Sequence, residues 1–137
     1  MIHESHQAQM TTPWYQRLTS MHATAWLLLP GSLWFVCGLY LDGWAHNHGK
    51  VDNTFFTPWH AVFYSGYVAV AVTLLVIIGI TQLRGLQWQT ALPVALRTAI
   101  VAAPVFALAG IADLWWHTTF GFEVGIEPLL SPPHLAL

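Results

Sequence analysis

Asp42, Trp44 and His46 form a DxWxH segment, and Asp113, Trp115 and His117 form the same segment 71 residues later. Thr57, Pro58, Trp59 and His60 (TPWH) have a counterpart in Ser131, Pro132, Pro133 and His134 (SPPH), 74 residues on. Within each DxWxH the aspartate and histidine are four apart, so a helix carrying them would place both on one face. His60 and His134 each follow a proline, a residue suited to the first turn of a helix, and so stand at the opening of returning helices. Helix ends joined by a loop are neighbours, which makes Asp42, His46 and His60 converge, and likewise Asp113, His117 and His134. Two imidazoles and a carboxylate form a donor set for a transition metal, with copper, iron and zinc all compatible. The two sets could build one shared site or a pair of adjacent metals. Glu123 and Glu127, again four apart, would add bridging carboxylates of the kind that hold di-iron centres in helical bundles.

The same residues also have a structural reading. Trp and His favour the headgroup region of a bilayer, and Asp marks the place where an apolar helix stops. Two instances in register with the same polar partners weigh against that reading, and Trp44 and Trp115 are then expected to wall the site against solvent. Glu123 and Glu127 have the alternative of a solvated helical face. His48 has no counterpart in the second copy and reads as a loop residue, while Asp52 and Asn53 read as turn chemistry. His3 could chelate Cu(II) with the amino terminus, against the alternative of a polar tail that also holds His6. Cys37, the single cysteine, forbids an internal disulfide or a CxxC motif and reads as small-residue packing.

The elements that must position these residues follow from composition. Of 137 residues, 55% are hydrophobic and 7% charged, with four Lys and Arg against six Asp and Glu. So few charges cannot clothe a soluble globule, and with no basic run there is no footprint for nucleic acid. The expectation is an all-α integral membrane protein whose partner is the lipid bilayer. A hydrocarbon core of about 30 Å needs about 20 helical residues. Ala23 to Leu41, Ala61 to Leu83 and Thr98 to Ala112 supply three spans, the third extended back through Leu92 with Arg97 snorkelling to the interface. Pro30, Pro93 and Pro104 are tolerated in lipid. Ser131, Pro132 and Pro133 start a fourth helix within a few residues of Leu137, so the chain reads as a fragment or leaves its fourth position to another membrane subunit.

Residues 1–22 form a polar segment with an interfacial anchor at Trp14, Tyr15 and Arg17, and residues 23–137 form the membrane domain. That domain divides into two parallel helix-loop-helix repeats, about 23–83 and about 91–137. Arg17, Arg84 and Arg97 lie on one side and Lys50 on the other. The positive-inside bias then puts the amino terminus in the cytoplasm and the Asp/His sets on the outward face of a bacterial inner membrane.

At DGWAHNHG, FFTPWHAVFYSG, GIADLWWHTTFGFEVGIE and LLSPPHL, the chain resembles a family of uncharacterised polytopic bacterial membrane proteins that carry these segments on successive helices. The resemblance covers roughly residues 36–137 and implies a longer chain with further helices. The aspartate, histidine, histidine pattern is also similar to a copper site in the C subunit of copper-containing membrane monooxygenases, which would make Asp42, His46 and His60 ligands and Asp113, His117 and His134 a second set. The histidines are separated by 13 residues in one set and 16 in the other, and the rest of that subunit has no counterpart here. Three functional expectations follow. The first is a metal-dependent oxidoreductase or hydroxylase. The second is a non-catalytic structural or metal-handling subunit of a larger complex. The third is a haem-binding subunit.

Overall fold

A computed structural model describes residues 21–50, 56–121 and 131–136. They form α1 (Met21–Asn47), α2 (Pro58–Leu83), a single turn α3 (Trp88–Ala91), α4 (Val94–Phe120) and a 3-10 turn (His134–Ala136). No strand occurs among the described residues. The three long helices are 27, 26 and 27 residues, about 40 Å each at 1.5 Å per residue and longer than the hydrocarbon core. All three are long and apolar enough to cross a membrane.

The first two expected spans lie inside α1 and α2, and Thr98 to Ala112 lies inside α4, which begins at Val94 and not at Leu92 because Pro93 is its N-cap; each helix runs further than its apolar run. α1 continues through Asp42 and His46 to Asn47, and α4 through Asp113 and His117 to Phe120. The polar segments therefore belong to helices. Their backbones keep the i to i−4 bonding pattern, and the aspartate and histidine point along one face. Pro30 and Pro104 sit within continuous helices. α4 stops at Gly121, whose φ of 97° ends the helix while its N–H still bonds the His117 carbonyl at 3.0 Å.

α1 and α2 pack antiparallel at backbone distance. A Cβ on Gly66 would stand 2.6 Å from the Cα of Phe35, and one on Gly38 would stand 2.7 Å from the Cα of Phe63. Only glycine lets the two backbones approach this closely. Trp34 adds a cross-helix bond from its indole N–H to the Val62 carbonyl at 3.0 Å. α4 joins through aromatic rings: Phe106 meets Phe35 edge-on at 5.3 Å and Phe63 at 5.7 Å, and Tyr67 donates to the Ala103 carbonyl at 2.7 Å.

The distribution of polarity is that of a protein whose solvent is lipid. Large apolar side chains such as Leu75, Val101, Leu108 and Ile111 are exposed, whereas Asp42, Thr57, Thr81, Asp113, His117 and Ser131 are buried. Arg97, at the start of α4, donates to the Gln89 carbonyl in the preceding turn, in line with a side chain reaching back to the interface. Cys37 departs from expectation: it is exposed, and its neighbour Gly38 makes the close packing.

Candidate metal centre

The last turns of α1 carry Asp42 and His46, and the first turn of α2 carries His60. Thr57 caps α2 and its hydroxyl accepts from the His60 N–H at 3.2 Å, which fixes the backbone from which the imidazole projects. His60 Nε2 lies 3.3 Å and His46 Nε2 3.8 Å from Asp42 Oδ2. The rings of His46 and His60 are 5.6 Å apart at 61°. One ligand atom from each of the three residues lies within 4.8 Å of the others. Donors bound at about 2.0–2.2 Å to a tetrahedral ion stand about 3.4 Å from one another, so the set needs only a small inward movement to close on a metal.

Asp42 is 7% exposed, and its other oxygen, Oδ1, is buried without a hydrogen-bond partner. An ionised carboxylate in such a place is costly unless a cation accompanies it. The donor set, two imidazoles and one carboxylate, suits a transition ion and leaves a further coordination position open.

Asp113, His117 and His134 repeat the arrangement with differences. His117 Nε2 lies 3.5 Å and His134 Nδ1 3.7 Å from Asp113 Oδ1. Ser131 bonds twice: its hydroxyl donates to Asp113 Oδ1 at 3.3 Å and accepts from the His134 N–H at 3.3 Å. Ser131 thus stands to His134 as Thr57 stands to His60. Among the described residues, only the first set has all its ligand atoms within 4.8 Å. The two sets are within electrostatic reach, Asp42 with His134, and His46 with both His117 and His134.

Tyr64, which with Ser65, Gly66 and Tyr67 reads in the sequence as close helix contact and part of an interfacial aromatic belt, also stands at the site. It follows His60 by one helical turn, with rings 6.1 Å apart, and it interacts with both Asp42 and Asp113. Its hydroxyl faces Gly110 of α4, 3.3 Å from where a Cβ would stand. The i to i+4 step from His60 is the signal that points to it.

Trp44 and Trp115 do not wall the site. They are 46% and 59% exposed, because a residue two after the aspartate is turned about 200° around the helix. Trp44 instead stacks on His48 at 4.7 Å and meets Trp59 edge-on at 6.2 Å. His48 is exposed, with Nδ1 2.8 Å from the Trp44 carbonyl, and takes no part in the cluster, as its lack of a counterpart suggests. Glu123 and Glu127, like His3, His6, Asp52 and Asn53, lie outside the described residues. Comparison with known protein families, with curated proteins and with solved structures finds none that matches this chain.

Proposed function

We propose that this protein binds a transition metal at one edge of the membrane through Asp42, His46 and His60, with Asp113, His117 and His134 as a second, related set. The observation that carries this reading is the convergence of two imidazoles and a half-partnered buried carboxylate within 4.8 Å. Duplication of a helix-loop-helix unit would account for the second set. The 71-residue offset that relates Asp42 to Asp113 and His46 to His117 also relates Phe35 to Phe106, which touch, and Gly38 to Ala109, both buried small residues. Copper, iron and zinc all suit these donors.

The function we infer is metal-centred oxidation or hydroxylation in a bacterial inner membrane, with the site on the outward face. A bound metal with an open position would supply Lewis acidity or redox chemistry. The chain's own residues would orient it: Thr57 and Ser131 hold the histidine backbones, and Tyr64 is within electrostatic reach of both aspartates. A haem is less well supported, because both Nε2 atoms aim at one carboxylate oxygen and leave no gap for a macrocycle between the rings.

A second reading, a subunit of a larger membrane complex, is favoured by a groove of about 710 Å³ along α4 between Trp88 and Ala136, which a further membrane helix would fill.

Elemental analysis of the detergent-purified protein tests the metal reading. The expected result is about one or two equivalents of copper, iron or zinc per chain, lost in the double variant His46→Ala with His117→Ala and retained in His48→Ala. Equal loss in both, or folded protein without metal, overturns it.

A further inference from the structure

α2 and α4 touch at the level of Tyr67 and part above it. The resulting crevice has a volume of about 370 Å³ and reaches from His60 and Tyr64 at one end to Tyr67 and Ala107 at the other. A second hollow of about 340 Å³ continues from Tyr67 and Ala107 to Ile78 and Ile100. Together they follow α2 for 18 residues, about 27 Å at the helical rise. Val68 and Ile111, at the rim of the upper part, are 54% and 65% exposed, so the crevice opens sideways into the bilayer.

The lining is polar at one end only. Thr57, His60 and Tyr64 gather at the metal-site end, and the remaining walls of the upper crevice are aliphatic or aromatic apart from Tyr67, whose hydroxyl is bonded to Ala103. No Lys or Arg lines either part. Such a surface offers an anionic head no cationic side chain to pair with. It complements a long apolar tail carrying one uncharged, hydrogen-bonding head.

We propose that this crevice binds a long-chain amphiphile with an uncharged hydroxyl-type head, which enters from the bilayer and presents that head to His60 and Tyr64. This deepens the metal reading by naming what comes to the site, and rests on it only for what the head meets there. The volume falls in the range of pockets that hold small molecules.

The test is photolabelling in nanodiscs of zwitterionic phospholipid with a diazirine-bearing hexadecan-1-ol, mapped by mass spectrometry. The expected result is saturable labelling of the α2 segment 56–68 and the α4 segment 107–114. Unlabelled hexadecan-1-ol should compete and hexadecanoate should compete at least tenfold less well. Filling the crevice with Ala107→Phe, or with Ile111→Trp at its exposed rim, should reduce labelling at least fivefold and leave metal content unchanged. Labelling that does not saturate, that covers the outer face of α1 equally, or that the acid competes as well as the alcohol overturns the proposal. Metal is measured on the same samples. Metal without saturable labelling overturns the crevice and leaves the metal centre standing, and saturable labelling without metal does the reverse.

Discussion

Asp42 distinguishes a metal site from an ordinary polar contact, because the two readings give its substitution opposite signs. If the carboxylate served the fold by pairing with His46 and His60, then Asp42→Asn would break a buried pair and destabilise the protein by about 3–5 kcal/mol. If it serves a metal, the metal-free protein carries a buried charge with one oxygen unpartnered, and the neutral amide is at least as stable there. The expected outcome is therefore a loss of metal affinity of 100-fold or more, with the chelated protein unfolding at no lower denaturant concentration than the wild type. Unfolding at clearly lower denaturant would return Asp42 to the structural role. Thr57 acts at one remove. Thr57→Ala removes the cap that positions His60, at about 1 kcal/mol, and should weaken metal about tenfold, within the range seen when groups that orient ligands are removed. Thr57→Ser should restore both. Spacing made Asp42, His46 and His60 legible in the sequence, because each relation is local: four residues along α1, and three residues into a capped helix. What spacing did not make legible is the difference between the two sets. The tighter closure of the first depends on how α1 and α2 approach one another, and in the second Ser131 adds a hydroxyl on Asp113 Oδ1 beside the two histidines. The outward turn of Trp44 was available from helical geometry once the helix was known to continue past Leu41.

The helices bring these residues together through glycine contact and aromatic rings. Gly66 and Gly79 lie on the same helix and separate packing from propensity. A Cβ at Gly66 would meet Phe35 backbone at 2.6 Å, which cannot give way, whereas one at Gly79 meets nothing within 4 Å. Gly66→Ala should destabilise the α1 and α2 pair by about 1–3 kcal/mol through overpacking and loosen the metal set, since Asp42 and His46 stand on one helix and His60 on the other. Gly79→Ala should be neutral or stabilise by up to about 1 kcal/mol. Reversible unfolding in mixed micelles reads both, and equal effects would deny the close approach. The existence of the three spans was plain in the sequence, because long uncharged runs have few other uses. Their ends were not, since α1 and α4 carry polar residues inside the last turns and hydropathy falls before the helix does. Of the glycines that fix the approach of α1 to α2, Gly66 was legible from its neighbours Tyr64, Ser65 and Tyr67 as a close helix contact, whereas Gly38 had no signal that set it apart from Gly79.

Across the whole molecule, the four Lys and Arg residues are expected to set the direction in which the chain crosses the bilayer and therefore which compartment would supply a metal. Arg84 and Arg97 flank the turn between α2 and α4, and Lys50 alone follows α1. The bias in Lys and Arg over short loops governs orientation, and it predicts a cytoplasmic turn between α2 and α4. The proposed metal set, at the opposite ends of α1 and α2, is then expected to face outward. The protein offers a simple way to check this, because its single cysteine is on an exposed face of a membrane helix and can be replaced by Cys37→Ser without disturbing the packed glycines. On that background, Asn47→Cys at the end of α1 and Gln87→Cys before α3 introduce exposed thiols at opposite ends of α2. In spheroplasts of a bacterial host, a membrane-impermeant maleimide should label Asn47→Cys directly and Gln87→Cys only after permeabilisation. The reverse pattern would turn the protein over and make the cytoplasm the source of metal. Labelling of both thiols in intact spheroplasts would mean that α2 does not cross the membrane, and the Asp42, His46 and His60 cluster would lose the lipid setting that makes a half-partnered carboxylate informative.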